Sequence, residues 1–214
     1  MHFLETLWES IQPELTRILD HPFNTELAKG TLPAEKFRFY IIQDSIYIEN
    51  YTRATSILAS KAPDESTMLK FVQYAYEGLK IERNMHEKYR EQLGTAENIQ
   101  PSLATEAYAN FLLTTILLNN FEIGLACFLP CFWVYHEMGK HIFNQAQPGN
   151  PYKEWINTYS GKEFDASVHQ MKEMTAQLAR QTDQKTREKM KDAFIRSTRY
   201  GLLFHDYAYQ MKIW

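Results

Sequence analysis

The chain has 214 residues, 44% hydrophobic and 23% charged, with a formal net charge of -3. That length suffices for one domain with a sizeable core, and the composition excludes a disordered or collagen-like chain. No basic block exists to track phosphates, so no nucleic-acid partner is expected.

In chain order, Phe3, Leu4, Leu7, Trp8, Ile11, Leu15, Ile18 and Leu19 recur at three and four, the stripe of an amphipathic helix. His21-Pro22 interrupts it, because the residue before proline leaves the helical region. Gly30 ends a short helical piece, and Thr31 with Pro33 reads as the cap and first turn of the next helix. That helix runs to about Ala59, and Pro63-Asp64-Glu65 opens another that stops at Gly94. Pro101-Ser102 restarts a helix to about Leu118, followed by an apolar segment from about Phe121 to Gln145. Residues Gln147 to Pro151 form the clearest loop. A short helix, a turn at Ser160-Gly161, a helix to about Arg180 and a last one from about Gln184 to Met211 complete the reading.

The eight glycines are never closer than ten residues, so neither GxGxxG nor a Walker A loop is present. Val72, Val134 and Val168 are the only valines, too few for the strands of a parallel sheet. The longest uncharged apolar run, Ile123 to Tyr135, has 13 residues and carries a proline, too short to span a bilayer. Met1-His2-Phe3-Leu4-Glu5 lacks the basic segment and apolar stretch of a signal peptide. Two cysteines, Cys127 and Cys131, make no disulfide framework and fit a reducing cytoplasm. One all-α domain over residues 1–214, without linker or repeat, is expected.

The segment from Phe37 to Tyr51 is apolar nearly all round, which marks a buried helix. One of its faces carries Phe37, Tyr40, Asp44, Tyr47 and Tyr51. Asp44 is therefore expected among tyrosines, where an unpartnered carboxylate is costly. It is either a core carboxylate satisfied by tyrosine hydroxyls or an acceptor aimed into a polar, aromatic pocket. Cys127, Cys131 and Tyr135 share a face at i, i+4 and i+8. Inert packing is the default for a free cysteine, and a nucleophile needs a depressed pKa or an adjacent base. His136-Glu137 and His141 are no zincin motif, since histidines five apart lie roughly 140° around a helix. Glu82 and His86 share a face, but the Glu-x-x-His pairs of carboxylate di-iron bundles are missing; no metal site is expected.

Several segments resemble the TenA/thiaminase II family: His21-Pro22-Phe23, Lys36 to Asp44, Leu129-Pro-Cys131-Phe-Trp-Val-Tyr135, Trp155 to Ser160 with Glu163-Phe164, and the ending Phe204-x-Asp206-x-Ala208-Tyr209. They fall in order along essentially the whole chain, and the cysteine-containing segment points to one branch. The resemblance implies an all-α bundle of the haem-oxygenase-like type, a homotetramer working without cofactor or metal. The implied reaction is hydrolysis at the methylene of a 4-amino-2-methylpyrimidine, releasing ammonia from the aminomethylpyrimidine or the thiazole from thiamine. Cys131 is then the nucleophile that adds to the ring, and Asp44 holds the ring's amino group and nitrogen. Tyr47, Tyr108, Tyr135 and Tyr159 line the pocket, with Phe204 beside them.

One position departs from the family. Its acid/base glutamate follows the residue matching Tyr200, and here that position is Gly201. Losing a general acid costs about 10²- to 10⁴-fold in rate. His205, one turn further on, has the residue type for proton transfer at neutral pH; it is a candidate for that role or a plain structural residue. The alternative is a pyrimidine-binding or regulatory protein with weakened catalysis. A haem role lacks its proximal histidine, since only His2 and His21 flank the first helix.

Overall fold

A computed structural model describes residues 3–93 and 100–214; the expected stop at Gly94 and the side chains of Glu82 and His86 lie outside the described residues. Among the described residues the regular structure is entirely helical: α1 (Phe3–Ser10), α2 (Gln12–Leu19), α3 (Pro22–Lys29), α4 (Ala34–Ser60), α5 (Glu65–Leu93), α6 (Leu103–Leu118), α7 (Phe121–Phe128), α8 (Pro130–Gln145), α9 (Lys153–Ser160), α10 (Lys162–Gln181) and α11 (Gln184–Gln210). Two expected continuous segments are split, both at proline. The first stripe breaks at Ile11, which leaves Pro13 in the first turn of α2, where its missing N–H is harmless. The segment from Phe121 breaks at Leu129, which leaves Pro130 to open α8.

Capping explains most of the other boundaries. The His21 ring accepts from the Phe23 amide at the start of α3, and Gly30 closes it at φ 71°, a left-handed angle that glycine takes without strain. Thr31 does not cap α4 as expected; its hydroxyl donates back to the Glu26 carbonyl, and Pro33 holds the cap position. Asp64 accepts from the Thr67 amide ahead of α5, Ser102 from Thr105 at α6, and Asp183 from Thr186 at α11. Lys61 spreads its ammonium over the carbonyls of Ile116, Leu117 and Asn119, closing the end of α6.

The long helix α4 runs through the bundle against α5 and α6, and α11 lies across α6, α7 and α4. Two polar residues in the core set the register around it. Gln43 is buried in α4; its amide donates to the Gln100 carbonyl, and its oxygen accepts from the Ser102 amide and the Thr105 hydroxyl. This ties the start of α6 to the middle of α4. Asn150 donates to the Leu27 and Ala28 carbonyls and accepts from the Tyr152 amide, which fastens the loop ahead of α9.

Helix α9 comes very close to α8 at Gly139, where a β-carbon would stand 2.7 Å from the Tyr159 carbonyl oxygen. Gly139→Ala therefore has to push backbone aside, at a cost of about 1–3 kcal/mol. A lower denaturant midpoint with unchanged m-value is the expected reading; an unchanged midpoint would mean that α9 docks independently of this contact.

Candidate functional site

The apolar character of α4 buries its tyrosine stripe. Phe37, Tyr40, Asp44, Tyr47 and Tyr51 are all buried, Asp44 at 3% exposure. Asp44, Tyr47 and Tyr51 of the stripe border a cavity of about 620 Å³. Asp44 and Tyr47 from α4, Cys131 and Tyr135 from α8, and Tyr159 from α9 share its lining, so five of the eight sequence-derived site residues converge on one space. Glu77, Lys162 and Glu163 stand at its exposed rim. A shape of aromatic walls with a few polar groups suits a flat, polar ring.

Of the other three, Tyr108 from α6 reaches the site by its hydroxyl, 3.3 Å from the Cys131 sulfur, and its ring lies 4.9 Å from that of Tyr47. The Tyr47 hydroxyl is 2.9 Å from the same sulfur. Phe204 is buried behind the wall against the rings of Tyr40 and Tyr47. His205 is not brought to the cavity. It lies behind Tyr40 and Tyr135, 1% exposed, with Nδ1 2.9 Å from the Gly201 carbonyl.

Cys131 occupies the first turn of α8 because Pro130 starts that helix. The Cys131 thiol stands above its ordinary value: burial raises it most and Asp44 adds to that, while the Tyr108 and Tyr47 hydroxyls and then its own amide N–H offset only part of the rise. The depressed value expected of a nucleophile is therefore not found. Burial also pushes both phenols well above their ordinary value, so at neutral pH they are protonated and able to donate. A half-buried thiol within hydrogen-bond reach of two protonated phenols can have its thiolate favoured over that of a thiol in apolar surroundings. Cys127 takes the inert course: it is fully buried in the core, and burial raises its thiol strongly. His136 pairs with Asp165 and His141 with Gln145, so these histidines do not converge.

Burial pushes His205 down to about 4, outweighing the hydrogen bond to the Gly201 carbonyl. The imidazole is thus neutral at pH 7, and the expected titration near neutrality is corrected by desolvation. Gly201 beside it borders a separate void of about 10 Å³, divided from the large cavity by Tyr135; a β-carbon added at Gly201 would meet nothing within 4 Å.

Gln43 and Gly139, which place these walls, escaped the sequence reading. Gln43 carried a signal, a second polar residue in an apolar helix; Gly139 carried none, since its role depends on a neighbour twenty residues away.

A model of the TENA/THI-4/PQQC family matches residues 8–211. The aminopyrimidine aminohydrolase of Bacillus subtilis is 32% identical over 199 residues, covering 91% of this chain and 84% of that one. The thiamine biosynthesis multifunctional protein ThiED of Corynebacterium glutamicum is 38% identical over 166 residues, and the match spans 78% of this chain but only 21% of that protein. Among solved structures, a TenA homologue from Pyrococcus furiosus superposes with a TM-score of 0.91 at 27% identity, covering 96% of this chain and 99% of that one. A domain with a heme oxygenase-like fold from Shewanella denitrificans reaches 0.77 at 14% identity, covering 97% of this chain and 92% of that one, which shows the fold alone.

The His205 environment has a consequence for stability. A folded-state value of about 4 against the ordinary 6.5 means that the unfolded chain binds the extra proton first. Stability is full above pH 6.5, falls as the pH drops to about 4, and loses no more from this group below that. The loss is roughly 3 kcal/mol at most. His205→Leu should flatten that decline in denaturant titrations between pH 7 and 4; an unchanged slope would mean that the imidazole is solvated.

Proposed function

The chain belongs to the TENA/THI-4/PQQC family, and from that premise we propose that it hydrolyses a 4-amino-2-methylpyrimidine at its exocyclic methylene, in thiamine salvage. The substrate is the aminomethylpyrimidine or thiamine. The observation that carries this reading is the convergence of the Asp44 carboxylate and the Cys131 thiol on one aromatic-walled cavity.

The ring edge offers an amino donor beside a ring nitrogen. Two carboxylate oxygens of Asp44 match that edge when the nitrogen carries a proton, and such pairing favours the protonated, electron-poor ring. The Cys131 sulfur adds to a ring carbon and interrupts aromaticity, so ring electrons expel the amine or thiazole from the methylene. Water then adds to the methylene, the ring–sulfur bond breaks, and the thiol is restored. Covalent catalysis of this kind divides one difficult step into easier ones. Tyr47 and Tyr108 hold the sulfur, and Tyr135 and Tyr159 wall the ring. No step uses a metal or cofactor.

The work is done in the cytoplasm, by a homotetramer. Exposed apolar side chains on α5 and at the end of α6, Leu69, Val72, Tyr76, Leu117 and Leu118 among them, support an assembly. No helix among the described residues is long and apolar enough to cross a membrane.

Replacing Cys131 by serine should abolish hydrolysis and leave pyrimidine binding within about 1–2 kcal/mol. Asp44→Asn should weaken binding and turnover together, because it puts a donor opposite the ring's amino group. Calorimetric titration beside an ammonia-release assay checks both; serine and wild-type enzymes of equal rate would end the covalent mechanism.

A second reading, a pyrimidine-binding protein with little turnover, is favoured by Gly201, where the family's acid is missing, and by His205, neutral and outside the cavity. If turnover is limited by the missing acid, Gly201→Glu raises it, by at most about 10²- to 10⁴-fold. Fast wild-type hydrolysis that the glutamate does not improve would place the acid elsewhere.

A further inference from the structure

We propose that Ser197 is a positioning residue for Cys131, acting through Tyr108: its hydroxyl donates to Tyr108 and thereby commits the phenol's single proton to the sulfur. The inference rests on the proposed reaction only for its catalytic meaning.

The geometry is a three-atom chain from α8 through α6 to α11. The Cys131 sulfur lies 3.3 Å from the Tyr108 oxygen, which lies 3.0 Å from the Ser197 oxygen. Both Tyr108 and Ser197 are buried, Ser197 completely, so water does not compete for either hydroxyl. A phenol has one hydrogen. Pointed at Ser197, it leaves the sulfur one donor short; pointed at the sulfur, its oxygen is free to accept from Ser197. The serine hydroxyl has to settle which arrangement holds.

Serines and threonines inside helices commonly return their hydroxyl to the carbonyl four residues back. Thr198 does so to Phe194, and Thr55 to Tyr51. Ser197 has Tyr108 as its hydrogen-bond partner instead. Its proton can therefore go to the phenol, and the chain runs in one direction, serine to tyrosine to sulfur, each bond polarising the next. The second phenol, Tyr47, reaches the sulfur directly from α4. Among the described residues, the ionisable groups near the thiol include Asp44 and Tyr47 on α4, Tyr108 on α6 and Cys127 on α7, with Tyr135 of α8 and Tyr159 of α9 on the same cavity wall; the Tyr200 ring of α11 stacks on Tyr108.

The test is the pH dependence of Cys131 alkylation by iodoacetamide in the intact protein, followed by mass spectrometry, with Cys131→Ser as baseline. Ser197→Ala should raise the pH midpoint and slow alkylation at neutral pH about three- to ten-fold, a shift of up to one pKa unit. Ser197→Thr keeps the hydroxyl, and the void beside Gly201 gives its methyl room; it should keep the wild-type profile. Tyr108→Phe should shift the midpoint at least as far as Ser197→Ala, and adding Ser197→Ala to it should change nothing further. The assignment is overturned by an unshifted alanine variant, by a threonine variant that behaves like alanine, or by an alanine effect that persists without the Tyr108 hydroxyl. The profile is read whether or not the protein hydrolyses an aminopyrimidine, so a failure of the proposed reaction leaves this test standing.

Discussion

A half-buried thiol and a buried carboxylate on the same cavity wall impose the main constraint on this bundle. Desolvation disfavours the thiolate of Cys131, and the neighbouring Asp44 carboxylate adds to it. The fold answers with donors brought from separate helices: Tyr47 from α4 and Tyr108 from α6 converge on the Cys131 sulfur. Two phenols cannot be delivered to one atom unless α4, α6 and α8 are in fixed register. Gln43 fixes α4 against α6, and Pro130 fixes where α8 begins. The cavity is thus a product of core packing, and its reactive atom sits on a rigid helix start.

The periodicity of apolar residues made nearly every helix legible, because burial and helical period are the same signal in an all-α chain. It failed at Ile11 and Leu129, where an apolar stripe continues straight through a break. The stripe reports which face is buried, and it says nothing of whether the ladder of hydrogen bonds is intact. Pro13 and Pro130 were the evidence for breaks, and both breaks fall one or two residues ahead of them.

The site was partly legible. Asp44 stood out as a charge in an apolar helix, and the tyrosines around it followed from spacing. Spacing could not tell which cysteine faces the cavity, because it put Cys127 and Cys131 on one face of a single helix; the break at Leu129 places Cys127 in α7 and Cys131 in α8, and only Cys131 lines the cavity. His205 shows the limit of residue type as a guide. A reference pKa near 6.5 suggested proton transfer, yet the ring lies behind the tyrosine wall and burial carries it to about 4. Placement decided its chemistry, and placement depends on α3, α4 and α8 together, which no local pattern encodes.

The account stands on Asp44 and Cys131 addressing the same ring from one cavity. A crystal structure of the protein with 4-amino-5-hydroxymethyl-2-methylpyrimidine tests this most directly. The account predicts the amino group and adjacent ring nitrogen within hydrogen-bond distance of the Asp44 carboxylate, and the Cys131 sulfur against a ring carbon. A ring bound at the rim beside Glu77 and Lys162, with Asp44 out of reach, would contradict it.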